Sequence, residues 1–262
     1  MKANYHTHTQ RCMHAIGNDE EYVLSAIKAG FDELGFSDHS PWKYDTNFVS
    51  GMRMPLSQFD DYYESISHLK EKYADKISVK IGLECEYFEK YMPWLENFIQ
   101  EKKLDYIIFG NHYYQSDEHG IYYGRAVRQE RYMKAYVDDC IAGMKTGLYS
   151  YLAHPDLFMR CYDRWNDYLQ SESYRLCKAA KELNVPLEYN LAGALYNECY
   201  GTKNGYPNID FFKVAAEIGN DVIIGLDAHD NEDIEKEWYY EDAVRVLDDL
   251  GIHRIDTIRF LR

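Results

Sequence analysis

Short runs suited to β-strands alternate with longer helical patterns from one end of the chain to the other, and this alternation restricts the fold more than any other feature. The strand-like runs lie at 4–8, 33–37, 79–87, 106–110, 149–153, 186–190 and 221–225. Helical patterns fall at 20–29, 56–73, 93–102, 129–146, 167–183 and 240–250, with further apolar runs at 209–218 and 255–260. Repeated strand and helix in this order imply βα units and a mostly parallel sheet. No Ser/Gly-rich linker, charge block or repeat divides the sequence, so one domain over residues 1–262 is expected.

Such a sheet closes as an open doubly wound layer or as a barrel. A doubly wound dinucleotide fold carries a glycine-rich turn after its first strand, whereas here that strand runs into His6-Thr7-His8-Thr9. A barrel gathers its active site at the C-terminal ends of its strands. Seven of the ten histidines fall at or just beyond such ends: His6, His8, His14, His39, His112, His154 and His229. Glu84 and Asp227 occupy two more strand-end positions. The spacing of two in His6/His8 and in Asp227/His229 puts both side chains of a pair on one face of an extended chain, which suits chelation.

Six strand ends each offering an imidazole or carboxylate converge on one barrel mouth. Burying that many ionisable groups without a cation costs several kcal/mol each. Nine candidate ligands, His6, His8, His14, His39, Glu84, His112, His154, Asp227 and His229, exceed what one ion takes, so two or three divalent ions are expected, with Glu84 and Asp227 bridging. Imidazole-rich ligation free of thiolate suits Zn, Mn or Fe rather than Mg or Ca alone. Glu86, on the strand face of Glu84, and Asp38, beside His39, are candidates for orienting ligands or for plain structural roles. The remaining histidines, His68, His119 and His253, sit in polar surroundings and are expected to be solvated.

The chain has 262 residues and a formal net charge of -15. That balance argues against coating nucleic acid, which needs clustered Lys and Arg. It does not exclude an anionic substrate, because bound cations dominate their local field. Six scattered cysteines without a CxxC pair suggest neither a thiolate zinc site nor a disulfide framework. With no apolar run near the roughly 20 residues that span a bilayer and no apolar leader, a cytoplasmic location without membrane contact is expected.

His6-Thr7-His8, Ser37-Asp38-His39, Gly82-Leu83-Glu84, Gly110-Asn111-His112, Ala153-His154-Pro155-Asp156 and Asp227-Ala228-His229 resemble, in order, the motifs of the PHP (polymerase and histidinol phosphatase) metalloesterase family. The resemblance runs from His6 to His229. It implies a distorted, TIM-like (β/α)7 barrel, the PHP fold, with a trinuclear metal centre. It also implies a phosphomonoesterase acting on a small phosphate ester. Phe36-Ser37-Asp38-His39-Ser40-Pro41 and His154-Pro155-Asp156-Leu157 look most like its histidinol-phosphate phosphatases, which implies release of phosphate from L-histidinol phosphate in histidine biosynthesis by a metal-activated hydroxide.

In this reading Asp227 and His229 serve catalysis as well as metal binding. Arg160 clamps the phosphate, and Arg53, in a loop long enough to cover the mouth, and Arg11 are further candidates for contact with the anion. One position departs from the family: where a Gly-Leu-Arg-like segment is expected after the strand at 186–190, the chain reads Gly193-Ala194-Leu195. This keeps open another small phosphate ester or a nucleotide as substrate. A barrel amidohydrolase also begins with His-x-His, but such sites bridge their ions with a carbamylated Lys where Glu84 stands here. A non-catalytic accessory role is disfavoured because all nine ligand positions are filled. Oligomeric state is not legible in the sequence.

Overall fold

The computed structural model describes residues 1–202 and 205–261. Its strands are β1 (Ala3–Asn4), β2 (Glu33–Phe36), β3 (Ser78–Cys85), β4 (Tyr106–Phe109), β5 (Leu187–Asn190) and β6 (Val222–Gly225). The helices are α1 (Asp19–Lys28), α2 (Phe59–Lys72), α3 (Met92–Lys102), α4 (Tyr123–Ala126), α5 (Glu130–Lys145), α6 (Asp167–Glu182), α7 (Leu191–Tyr200), α8 (Ile209–Ile218), α9 (Asn231–Ile234) and α10 (Glu237–Asp249).

β1 to β4 form one parallel sheet in sequence order, with Asn4 opposite Leu34, Phe36 opposite Ile81 and Cys85 opposite Phe109. β5 and β6 form a second parallel pair, Asn190 opposite Gly225. Two junctions join these into a ring. Leu152 bridges Phe109 on one side and Leu187 on the other, and Thr7 bridges Ala228, all in parallel sense. The backbone hydrogen bonds agree: Ala153 N–H reaches Phe109 O at 2.9 Å, Glu188 N–H reaches Leu152 O at 2.9 Å, and His8 N–H reaches Ala228 O at 2.9 Å. Counting the extended run through Leu152 as a stave, the described residues close a distorted (β/α)7 barrel.

The first strand is shorter than expected, and Asn4 is the reason. Its amide Nδ2 donates to His6 O and Thr7 Oγ1, while its Oδ1 accepts from His6 N and from Leu226 N at 2.9 Å. A side chain thereby takes the place of ladder partners, and regular pairing stops two residues before His6. The apolar run at 209–218 is α8, capped by Asn208, with Phe211, Phe212, Val214 and Ala215 buried. The segment after β5 turns at once into α7, whose N-cap Asn190 accepts from Gly193 N–H; the sequence reading placed no helix there.

Strand side chains alternate, and both faces are covered, so every residue of β2, β4 and β6 is buried. The inward positions carry an apolar floor of Tyr5, Tyr106, Ile108, Tyr151, Ala153 and Ile223. Two residues further along the same strands, the inward positions change character. Gly82 gives way to Glu84 and Gly225 to Asp227, while β5 already carries the carboxylate Glu188 before Asn190. The barrel is therefore an apolar plug with a layer of buried polar groups at its C-terminal mouth. No helix among the described residues is long and apolar enough to cross a membrane.

Candidate metal centre and active site

The polar layer is nearly dry. His6 and His8 have no exposure, and Glu84, His39, His112, His154 and Asp227 are all buried. Imidazoles of His6, His8 and carboxylate Asp227 offer three ligand atoms within 4.8 Å of one another, as do the sets His6/Glu84/His154, His8/His39/Glu84 and His14/His39/His229. His112 joins them through Nε2, 3.1 Å from His154 Nε2 and 3.4 Å from Glu84 Oε1. The nine residues singled out in the sequence thus meet at one mouth, with Glu84 and Asp227 in its middle. His68, His119 and His253 are exposed and lie apart.

Close approach of strands needs two glycines here. A Cβ at Gly110 would collide with the Glu84 carboxylate, and one at Gly225 with that of Glu188. His154 and Asp227 take left-handed backbone, φ 76° and 49°. For side chains that is a conformation costing about 1–3 kcal/mol, a strain concentrated where the ligands project.

Four imidazoles have their ring orientation set from behind. His6 Nδ1 donates to Glu188 Oε1 at 2.7 Å, His112 Nδ1 to Glu86 Oε1 at 3.0 Å, His14 Nδ1 to Cys12 O at 2.6 Å, and His229 Nδ1 to Asp227 O at 2.9 Å. In His6 and His229 this leaves Nε2 buried and without a hydrogen bond, while His112 Nε2 lies 3.1 Å from His154 Nε2. Asp38 works similarly for its neighbours, accepting from Thr9 Oγ1 and from His39 N–H at 2.9 Å, with His8 Nδ1 3.5 Å away.

These rings fit metal ions. Among the described residues, His6 Nε2, His8 Nε2, His39 Nδ1, Glu84 Oε2 and His229 Nε2 are buried and make no well-aligned hydrogen bond, although His39 Nδ1 lies 2.9 Å from Glu84 Oε2 and His8 Nε2 3.2 Å from Asp227 Oδ1. Buried polar atoms crowded together without aligned hydrogen bonds form a donor set suited to Lewis acids. Electrostatics agree. Burial would raise Glu84, but His112, His39, His6 and His154 hold it well below the ordinary carboxylate range. Burial would likewise raise Asp227, yet His6, His8 and His229 hold it well below as well. Burial lowers His39 to about 3 and His229 to about 4, the latter helped by His8, whereas Asp227 and Asp38 overcome burial and lift His8 to about 9. Ionised carboxylates beside neutral His39 and His229 are ready for a divalent ion, whereas His6, His8 and His154, all raised by the carboxylates against burial, must give up protons as an ion binds.

Cys12 was given no role in the sequence reading; its buried sulfur lies within 4.8 Å of ring nitrogens of His8 and His229. Burial and the Asp38 charge push the thiol up to about 12, which leaves it protonated and a poor ligand.

Two arginine expectations are corrected. Arg53 does not face the cleft: it is 2% exposed, its Nε donating to Asp117 at 3.0 Å and its two terminal nitrogens to Glu86 at 3.0 and 2.8 Å. Arg11 is likewise committed, to Asp19 at 2.9 Å and Asp61 at 2.8 Å. Neither has a guanidinium to offer a substrate. Arg160 does line the cleft above the ligands, a cavity of about 870 Å³. Its guanidinium lies 4.9 Å from the ring centroid of Tyr196 and donates to Tyr122 Oη at 3.3 Å. Arg125, not singled out from sequence, lines the same cavity with Tyr113, Tyr206 and Met52. On α7, Ala192 and Tyr196 face the cleft while Leu195 faces a separate small cavity.

Glu188 and Asn190 also escaped the sequence reading. Glu188 orients His6, and Asn190 Nδ2 donates to Glu188 Oε2 at 2.9 Å and to Asp227 Oδ2 at 3.1 Å. Their spacing of two at a strand end was the available signal.

Comparison with known families matches residues 4–192 to the PHP domain. A Deinococcus radiodurans protein named a probable histidinol-phosphatase is 28% identical over 258 residues, covering 94% of this chain and 92% of its own. The Bacillus subtilis histidinol-phosphatase is 28% identical over 123 residues, 44% of this chain and 46% of that protein. Among solved structures, the histidinol phosphate phosphatase of Lactococcus lactis, determined with Zn, L-histidinol and phosphate, superposes with a TM-score of 0.75 at 19% identity, covering 98% of each chain.

Proposed function

The chain belongs to the PHP domain family, and from that premise we propose that it is a metal-dependent phosphomonoesterase hydrolysing L-histidinol phosphate to L-histidinol and phosphate. The observation that carries this reading is the set of buried ligand atoms without aligned hydrogen bonds at the barrel mouth, placed beneath a cleft that offers arginine to an anion. The names of the relatives point to the same substrate.

His6, His8, His14, His39, Glu84, His112, His154, Asp227 and His229 would hold two or three divalent ions, Zn, Mn or Fe by the chemistry of the donors. Ions bound there neutralise phosphoryl charge and supply a nucleophilic water at neutral pH. The chain's own residues do the rest. Arg160 is placed to take non-bridging phosphate oxygens with its fork. Tyr122 and Tyr196 keep that fork in place, and tyrosines 113 and 206 give a ring-bearing leaving group an aromatic wall. Asp227, ionised and engaged with His6, His8 and Asn190, would act as a ligand and acceptor, so the departing alkoxide would take its proton from a solvent water in the cleft, which leaves hydroxide. His229, whose ring is partly exposed at the rim while its Nε2 is buried and without a hydrogen bond, would serve metal binding.

A second substrate class is favoured by one feature: Arg125 and Arg160 both line a cavity larger than a phosphate needs, which suits a more anionic ester such as a nucleotide. A panel of phosphomonoesters and diesters assayed with metal-loaded protein separates the two. Release from L-histidinol phosphate at a kcat/KM at least about tenfold above nucleotides, and none from diesters, is expected; preference for a nucleotide or a diester overturns the assignment.

A further inference from the structure

The loop between β2 and α2 enters the protein interior at Arg53, although its neighbours Ser50 to Met52 line or flank the cleft. Four donors of the guanidinium are used: Nε to Asp117, one terminal nitrogen to Ser40 O at 3.1 Å and to Glu86 Oε2, the other to Glu86 Oε1. Glu86 is saturated in turn. Its Oε2 also accepts from Trp42 Nε1 at 2.8 Å, and its Oε1 is 3.0 Å from His112 Nδ1. Each oxygen therefore receives two donors, and the carboxylate has no freedom to turn. A buried ion pair is a poor device for stability alone, since apolar residues of similar volume do as well. A carboxylate fixed behind a ligating imidazole, by contrast, sets the ring's orientation and its tautomer.

We propose that Arg53 is a positioning residue of the metal centre: by gripping both oxygens of Glu86 it fixes His112, and thereby supports selectively the ion held at His112, His154 and Glu84. Asp117 extends the same clamp, accepting from Arg53, Ser50 Oγ at 2.9 Å and Tyr44 Oη at 2.6 Å, so the two loops that wall the cleft are tied to one ligand. This rests on the reading of the mouth as a metal site.

The test is equilibrium binding of Zn²⁺ to metal-stripped protein in competition with a chromophoric chelator. In Arg53→Met one class of ion should weaken by about 10–100-fold while the others stay within about twofold. Arg53→Lys, which keeps the charge but loses the fork, should lie between the two. In a Glu86→Gln background the Arg53→Met change should add less than about threefold, because the arginine acts through that carboxylate. Equal weakening of every ion, or full additivity of the two changes, would show a merely structural role and overturn the proposal, as would affinities unchanged from the parent. A parent protein that binds no Zn²⁺ overturns the metal site itself, and a folded Arg53→Met variant with all ions at parental affinity overturns the positioning role alone. Circular dichroism of the metal-free proteins identifies folded material, and Arg53→Lys carries the test if Arg53→Met does not fold.

Discussion

Arg160 carries its charge on an aromatic ledge, stacked on Tyr196 and bonded to Tyr122, at the end of the stave that delivers His154. Packing of this kind preorganises a long side chain that otherwise loses rotamer freedom on binding an anion. Arg160→Ala should lower kcat/KM by about 10–100-fold, chiefly through KM, with Arg160→Lys recovering part of it; steady-state kinetics measure this, and an unchanged kcat/KM removes the residue from phosphate binding. The meeting of the nine side chains at one mouth was legible in the sequence, because imidazoles spaced by two at strand ends point to one mouth whatever the details of the loops. The arginines were not. Whether a guanidinium meets a substrate or a carboxylate depends on partners far along the chain, 33 residues away for Arg53 and Glu86 and 64 for Arg53 and Asp117. Glu188, which meets His6 across 182 residues, was hidden for the same reason.

Among the elements, the strands and the long amphipathic helices stood out by periodicity, whereas β1 and α7 did not. Asn4 looks like any polar residue in an alternating run, and only the fold reveals that its amide replaces ladder partners of His6 and Leu226. The capping signal at Asn190 was readable, but it sits on a strand whose own pattern dominates. α5 carries a titration of its own. Burial on this helix, together with Asp138 and Glu89, raises Asp139 to about 6, against a hydrogen bond from Tyr123 Oη that works the other way. A carboxyl raised in the folded state favours folding while protonated, so its contribution is present below the unfolded value near 4 and is lost as pH climbs through about 6. Asp139→Asn, which keeps an acceptor for Tyr123, should therefore be more stable than the parent at pH 8 by about 2–3 kcal/mol and close to it at pH 4. Chelator-treated samples melted across that range check this, and parallel curves for the two proteins would contradict it.

For the whole molecule, the sheet had to close for the histidines to make sense, and closure rests on two short junctions, at Leu152 with Phe109 and Leu187 and at Thr7 with Ala228. Both lie next to ligands, so metal binding and ring closure support one another: ions bound only by the folded chain add RT ln(1 + [L]/Kd) to its stability. The charge of -15 describes the chain without ions. Each divalent cation bound there adds about two positive charges at one point, which turns an acidic protein's mouth toward a phosphate. The central claim is that this mouth is a multinuclear metal centre for phosphomonoester hydrolysis. Metal-stripped protein titrated with Zn²⁺ or Mn²⁺, with bound ions counted by elemental analysis and phosphate release from L-histidinol phosphate followed in the same samples, tests it most directly. The account predicts that turnover appears as the second ion binds and is complete at two or three ions per chain. Full turnover with fewer than two ions, or no release from the fully loaded protein, would contradict it.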